Sequence, residues 1–308
     1  MYSLKYYLKH PDNFILSIIY ECSHRWLLNW MSDELYLKML YRVRLWKKLN
    51  LSNPITYNEK LQWMKVYDHN PLYTKMADKY LVKEYIWELM WKEYIIPTYW
   101  IRNTFDEIER NKLPNEFVLK CTHDSWSIVI CKDKNNFDKV SAKKKLEKSL
   151  KKNCFNQDRE WVYKDIKPRI LAEKYIDSLG TPDSIEYKLT CFDWVAKLIT
   201  LCRWIAHDTL DKRFNDFYDR DLNPLDFYVF YKNSPKKIPI PKEINEIIKF
   251  CEKVSKGIPC VRIDVYLLDW QIYFWEATFY TRSWFCVFTP EKWDKILWDW
   301  IKLPKIIK

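Results

Sequence analysis

Arg262, Asp264 and Glu276 are the residues of this chain whose types and spacing could do chemistry together. Val261-Arg262-Ile263-Asp264-Val265-Tyr266-Leu267 alternates apolar and polar positions, which places Arg262, Asp264 and Tyr266 on one face of a strand. Glu276 and Thr278 lie on the returning strand of a hairpin over Val261–Phe279. Two carboxylates with an arginine between them suit a Mg2+–phosphate site, because Mg2+ takes one or two protein carboxylates and fills its octahedron with water and phosphate oxygens. A plain cross-strand Arg–Glu pair on a surface would use the same residues. Register separates the two. A two-residue turn at Asp269-Trp270 pairs 268 with 271 and sends Asp264 and Glu276 to opposite faces. A three-residue loop, Leu268-Asp269-Trp270, ending in a left-handed residue sets Arg262 opposite Glu276, with Asp264 diagonal on the same face. A shared carboxylate site therefore predicts the longer loop, with glycine geometry at 270.

Lys120 ends the strand-like Phe117-Val118-Leu119-Lys120 and precedes His123-Asp124-Ser125-Trp126-Ser127, a short polar loop before Ile128-Val129-Ile130. With Gly at 126 the backbone N–H groups of such a loop could cover phosphates while Lys120 supplies a point charge. With Trp at 126 the backbone could not come close. Arg169–Ile176 reads as a strand that ends in Glu173-Lys174-Tyr175-Ile176, a segment that says little alone.

The elements that must hold these residues alternate in type. The first 75 or so residues look helical. Ser32-Asp33-Glu34 is a helix start, Thr56-Tyr57-Asn58-Glu59 has capping-box form, and Asp78–Met90 reads as a further helix. Asp138–Lys152 is a basic helix whose charges suit a solvated face. A hairpin over Tyr187–Leu198 follows a loop at Ser178–Ser184, and Ala206–Pro241 reads as polar and irregular. Lys242–Lys256 is a helix ending at Gly257, and a last helix lies near Pro290–Ile301. Helices mixed with antiparallel hairpins predict an α+β fold.

Composition adds one anomaly. The chain has 17 Trp and only 2 Gly in 308 residues, where average usage is roughly 7% Gly. Asp193-Trp194 and Asp269-Trp270 sit where Asp-Gly is the usual hairpin turn. The pattern suggests that many of these Trp are Gly in the native protein, from a UGA codon that its own translation reads as glycine; a Trp-rich chain with unusual turns is the alternative. A net charge of +11 suits an anionic partner, although Lys-, Ile-, Asn- and Tyr-rich usage is also what an AT-rich gene encodes. The 9 Cys include no CxxC pair and read as buried thiols of a reducing compartment. No apolar run reaches the length of a membrane span, so a cytoplasmic protein is expected, with Phe14–Tyr20 either a core face or a contact to the inner face of a membrane.

Taken in order, Asn58–Trp63, Ala77–Tyr80, Phe117–Asp133, Arg169–Ile176, Tyr187–Trp194 and Val261–Phe279 resemble the TupA-like branch of the ATP-grasp superfamily, over about residues 35–303. The resemblance implies two α+β lobes that clasp ATP: an N-terminal helical segment at 1–75, then lobes at 76–165 and 166–308. It implies that Lys79 and Lys120 contact phosphates, that Ser125, Trp126 and Ser127 close over them, and that Glu173, Lys174, Tyr175 and Ile176 hold adenine. Arg262 would bind phosphate, with Lys120 and Arg262 as the catalytic cations, and Asp264, Glu276 and Thr278 would be the Mg2+ ligands. Many ATP-grasp enzymes carry Asn where Thr278 stands. The branch shows Gly at Trp46, Trp126, Trp194, Trp270, Trp275, Trp284 and Trp298, and Trp at Trp63 and Trp161. The implied activity is a carboxylate–amine ligase in cell-surface polysaccharide biosynthesis, with an acidic sugar or amino acid as substrate. A glycan-modifying transferase, a degenerate ATP-grasp protein and a basic binding protein without turnover remain open, although no nucleic-acid motif is present.

Overall fold

A computed structural model describes residues 11–25, 27–176, 185–204 and 213–305. The loop read at Ser178–Ser184 lies outside them. In chain order the regular elements are α1 (Pro11–His24), α2 (Asp33–Leu45), α3 (Tyr57–Tyr67), α4 (Pro71–Ala77), α5 (Leu81–Leu89), β1 (Thr98–Arg102), β2 (Phe117–Cys121), β3 (Val129–Cys131), α6 (Lys139–Leu150), α7 (Phe155–Asp158), β4 (Ile170–Lys174), β5 (Ile185–Phe192), β6 (Val195–Trp204), β7 (Arg213–Tyr218), α8 (Ile244–Val254), β8 (Cys260–Leu268), β9 (Gln271–Thr278) and α9 (Lys292–Trp300).

The strands form two antiparallel sheets, ordered β1-β4-β2-β3 and β7-β6-β5-β8-β9. The α+β expectation holds. Strand β4, placed by sequence at the start of the second lobe, pairs with β1 and β2 in the smaller sheet. Ala142 and Leu146 of α6 pack with β2 in a small core of their own. Helix α8 covers one face of the larger sheet. Ile244, Ile247, Ile248, Phe250, Cys251 and Val254 are its buried side, and alternation in β5, β6 and β8 turns Leu189, Ile199, Leu201, Ile263 and Val265 inward to the core. The opposite face of that sheet carries mostly polar residues, with Leu198 and Phe217 among them.

Local chemistry explains most boundaries. Ser32 Oγ accepts from Leu35 N to start α2, and Thr56 Oγ1 accepts from Glu59 N to start α3. Only half of the capping box forms, because the Glu59 carboxylate accepts from Asn50 N and Ile55 N instead. The helix expected over Asp78–Met90 is shorter: α4 ends at Ala77, and the Asp78 carboxylate accepts from Tyr80 N and Leu81 N before α5 begins. The segment read as irregular contains β7. Its Asp216 resembles a loop residue, yet the carboxylate is buried and accepts from Ser234 N and Ile238 N.

The Trp anomaly has a backbone counterpart at some positions and none at others. Trp46 caps α2 in the left-handed region at φ 56. Both central residues of two hairpin turns have positive φ: Asp193 at 50 with Trp194 at 57, and Asp269 at 48 with Trp270 at 65. A side chain at such a φ costs about 1–2 kcal/mol. Gly257, at φ 79, is the glycine that a helix end ordinarily uses. Trp126, Trp275, Trp284 and Trp298 are outside the positive-φ set. Trp298 lies within α9, where its Nε1 donates to Pro54 O, so that position is no turn.

Candidate active site

Strand register assembles the chemistry on the open face of the larger sheet. One row across it reads Phe217, Thr200, Lys188, Asp264 and Glu276. The next reads Leu198, Thr190, Arg262 and Thr278. The hairpin achieves this by a route that the sequence reading did not contain. The turn is the two-residue one, pairing Leu268 with Gln271, but Val265 pairs with Phe274 and Asp264 with Glu276. Trp275 is an extra residue in β9, a β-bulge that flips the remaining register by one. Asp264 therefore stands directly opposite Glu276, and Arg262 opposite Thr278. The three-residue loop is corrected; the shared face stands.

Charge is dense there. Arg262 makes a two-pronged ion pair with Asp264, Nε–Oδ1 at 2.6 Å and Nη2–Oδ2 at 2.7 Å. Its remaining N–H groups donate to Thr278 Oγ1 at 3.1 Å and Thr281 Oγ1 at 2.7 Å. Lys188 Nζ joins Glu186 at 2.8 Å and Asp264 at 3.0 Å. Burial pushes the Asp264 carboxyl up, but Arg262 and Lys188 outweigh it and hold the group below the usual carboxylate range. Lys188, inside those same contacts, is held above its ordinary value although burial opposes this. The sequence reading missed Lys188. Its signal was the alternation of Glu186, Lys188 and Thr190, the same pattern that exposed Arg262 and Asp264.

The smaller sheet brings the second set. Lys79 Nζ donates to Asp124 O and lies 3.7 Å from Glu276 Oε1. Ser125 Oγ donates to Glu276 Oε1 at 3.3 Å, so the polar loop reaches the hairpin across the space between the sheets. Ser127 Oγ accepts from Cys121 N and bonds Asp124, which Ser149 also binds, and this pins the loop. Trp126 lies half exposed at the cavity wall.

Lys120 Nζ pairs with buried Glu173, which also takes Lys83 Nζ at 2.7 Å. Burial pulls the Lys120 ammonium down to about 8, with Glu173 offsetting only part of that. Glu173, between two ammonium groups, is held below its usual range against the effect of its burial. The Trp275 indole lies between the two sets: Lys120 Nζ sits 4.2 Å from its centroid, and Tyr266 meets it edge-on at 5.5 Å. Lys174, Tyr175 and Ile176 line a separate cavity of about 1010 Å³ with Pro97, Leu268 and Tyr273. There the Lys174 N–H is already given to Pro97 O.

A cavity of about 560 Å³ opens beside Arg262, Glu276 and Thr278. Lys188, Thr200, Arg213 and Asn215 form its sheet side, and Phe227, Phe230 and Tyr231 an aromatic wall. Arg44 and Tyr57, from the N-terminal helices, also line it, as do Asp158 and Glu160. The N-terminal segment is thus built into the site rather than appended to it.

Two opposed antiparallel sheets, with a carboxylate hairpin on one and a lysine and polar loop on the other, define an ATP-grasp protein. The family model for TupA-like ATP-grasp proteins matches residues 59–302, and the chain belongs to that family. Several solved structures are similar to parts of the chain at low identity. D-alanine–D-alanine ligase from Bacillus anthracis is 22% identical over 66% of this chain and 56% of that one, with TM-score 0.36. D-cycloserine synthetase DcsG is 15% identical over 69% and 65%, at 0.38. The ATP-grasp ligase PsnB, solved with a phosphomimetic precursor variant, Mg and ADP, is 9% identical over 78% and 63%, at 0.41. The chain thus spans little more than half the length of the D-alanine ligase. No curated protein sequence matches it.

Proposed function

We propose that the protein is an ATP- and Mg2+-dependent carboxylate–amine ligase in cell-surface polysaccharide biosynthesis. The observation that carries this is the facing of Asp264 and Glu276 on adjacent strands, with Arg262 between the sheet and Thr281 and with Lys79 and Ser125 reaching Glu276 from the other sheet. The donor set fits Mg2+. Asp264 and Glu276 are opposed oxygen donors, no third His, Cys, Asp or Glu joins them among the described residues, and a hard cation with several non-protein ligands tolerates that. Thr278 Oγ1 accepts from Arg262, so here it serves the arginine. When bound, Mg2+ would neutralise phosphate charge. The residues then do the positioning. Lys79, Lys120 and Arg262 attract and orient the polyphosphate, and the Ser125–Ser127 loop closes over it and excludes water. The donor carboxylate attacks the γ-phosphorus, ADP leaves, and an amine opens the resulting acyl phosphate to an amide. The 560 Å³ cavity would take the donor, an acidic sugar or amino acid, against Lys188 and Arg213. Calorimetry of ATP binding with and without Mg2+ tests this: Lys79→Ala and Glu276→Gln should each weaken binding about tenfold or more, and unchanged affinity in both would sink the assignment.

Trp275 favours one addition. Its indole stands between Lys120 and Tyr266, on the side of Lys120 where this reading puts the polyphosphate. Together with positive φ at Trp46, Trp194 and Trp270, this supports glycine at those positions in natively made protein, through UGA read as glycine. The intact mass of natively expressed protein tests it. If native protein carries Trp275, a degenerate member with a blocked cleft becomes the reading. Helix α1 also leaves Phe14, Ile15 and Ile18 exposed, a face suited to a membrane surface; failure to sediment with anionic vesicles would remove that contact. Among the described residues no helix is long and apolar enough to cross a membrane.

A further inference from the structure

The acidic groups lining the 560 Å³ cavity are Asp124, Asp158, Glu160 and Glu276. Three of them have work already. Asp124 accepts from Ser127 and Ser149. Asp158 accepts from Tyr20 and Arg44 on Oδ1 and from Gln157 on Oδ2. Glu276 faces Lys79, Ser125 and the hairpin acid. Glu160 alone is outside these assignments. Its Oε1 accepts from Ser283 Oγ, and among the described residues its Oε2 has no hydrogen-bond partner and the carboxylate no ion pair.

Its position is set by a single turn. Residues Thr281–Trp284 form a short 3-10 helix that receives Arg262 Nη1 on Thr281 Oγ1 at one end and holds Glu160 through Ser283 at the other. Arg262 and this carboxylate are therefore anchored two residues apart on one short turn, and both line one cavity. Lys65, fully buried on α3, reaches the same turn: its Nζ donates to Ser283 O at 2.8 Å and Asp158 O at 3.3 Å, over the rings of Phe285 and Tyr280. The charged and titratable groups facing Glu160 are Lys65 from α3, Arg44 from α2, Asp158 from α7, and Tyr163, Tyr280 and Cys154.

We propose that Glu160 is the proton acceptor for the attacking primary amine, a role that rests on the ligase reading above. An amine arrives as an ammonium and cannot attack until it loses a proton. Glu160 Oε2 takes that proton, the freed nitrogen lone pair forms the C–N bond, and the C–O bond to phosphate breaks with its electron pair leaving on phosphate. The tetrahedral nitrogen sheds its second proton to solvent as the amide forms. Burial pushes the Glu160 carboxyl up and the Lys65 ammonium opposes it, which brings the group toward neutral pH, where a base of this kind is most effective.

Two measurements on the full chain decide. Carbodiimide with glycinamide labels protonated carboxyls that reagents can reach. Peptide mass spectrometry should find Glu160 labelled, at pH values where exposed Glu107 no longer is, and Lys65→Met should extend the labelling higher still. No label at Glu160, or a profile matching Glu107, overturns the proposal, since a buried structural carboxylate gives that result. Turnover is then read as ADP release with D-glucuronate or L-glutamate as donor and either hydroxylamine, already unprotonated at neutral pH, or glycinamide as acceptor. Glu160→Gln, which can still accept from Ser283, should keep the hydroxylamine reaction and lose about 100-fold with glycinamide. Equal losses with both acceptors overturn the proposal while leaving the ligase reading intact. Wild-type protein that releases no ADP with either donor refutes the ligase reading for these donors and removes this role with it.

Discussion

Replacing Trp46 by Gly should stabilise the protein, although it deletes the largest side chain in the amino-acid set. Trp46 caps α2 at φ 56 and is 64% exposed. The left-handed backbone costs about 1–2 kcal/mol with a side chain present, while Gly gives back about 0.5–1 kcal/mol through the freedom of the unfolded chain. The cap hydrogen bond, Trp46 N to Arg42 O at 3.1 Å, and the Arg42 Nη1 bond to Trp46 O at 2.9 Å both involve backbone atoms and survive. The net is a gain of about 0.5–1 kcal/mol, or a rise of roughly 1–2 °C in melting temperature. Trp270→Gly relieves the same strain but loses the Lys242 ammonium 4.1 Å from its ring, worth about 0.5–1 kcal/mol, so it should be close to neutral. Trp63 is the control. It is 7% exposed and packs on Tyr67 at 5.1 Å, and Trp63→Gly should cost about 3–5 kcal/mol. Urea titrations of the three variants give the ordering directly. A midpoint for Trp46→Gly that falls as far as that of Trp63→Gly would refute the backbone argument.

Trp275→Gly should tighten ATP binding about tenfold, since the indole leaves the face of Lys120; equal affinity measured by calorimetry would show that the ring does not obstruct the nucleotide. ATP affinity should fall as pH rises through about 8, where buried Lys120 loses its charge, and Lys120→Arg should flatten that profile. Stability should move the other way. Unfolded lysine titrates near ~10.4, so between about 8 and that value the folded state binds fewer protons at Lys120, and its contribution to stability rises with pH. Asp264→Ala leaves Arg262 and Lys188 without the acid between them and should cost about 3–5 kcal/mol in urea unfolding; a loss under 1 kcal/mol or so would mean that neighbouring Glu186 and Glu276 already balance the charge.

How much of this was legible depends on the range of the interactions involved. Helix starts at Ser32 and Thr56, the stop at Gly257 and the alternation of Val261–Leu267 are local, and local hydrogen bonding and side-chain period determine them. Alternation alone put Arg262 and Asp264 on one face. It also put Glu186, Lys188 and Thr190 on one face, but a single strand does not say which face meets the carboxylates. Pairing of β5 with β8 decided that. The same limit concealed the bulge: one unpaired residue at Trp275 reverses the face of everything beyond it, and only contact between strands reveals which residue is unpaired. Glu160 and Lys65 were beyond reach for a related reason. They come from segments 95 positions apart that meet at the turn over Thr281–Trp284, and burial in the tertiary fold is the first cause of their shifted acidities. Sequence by itself determined which side chains could act; the tertiary fold decided which of them share a cavity, because charge and burial act through space.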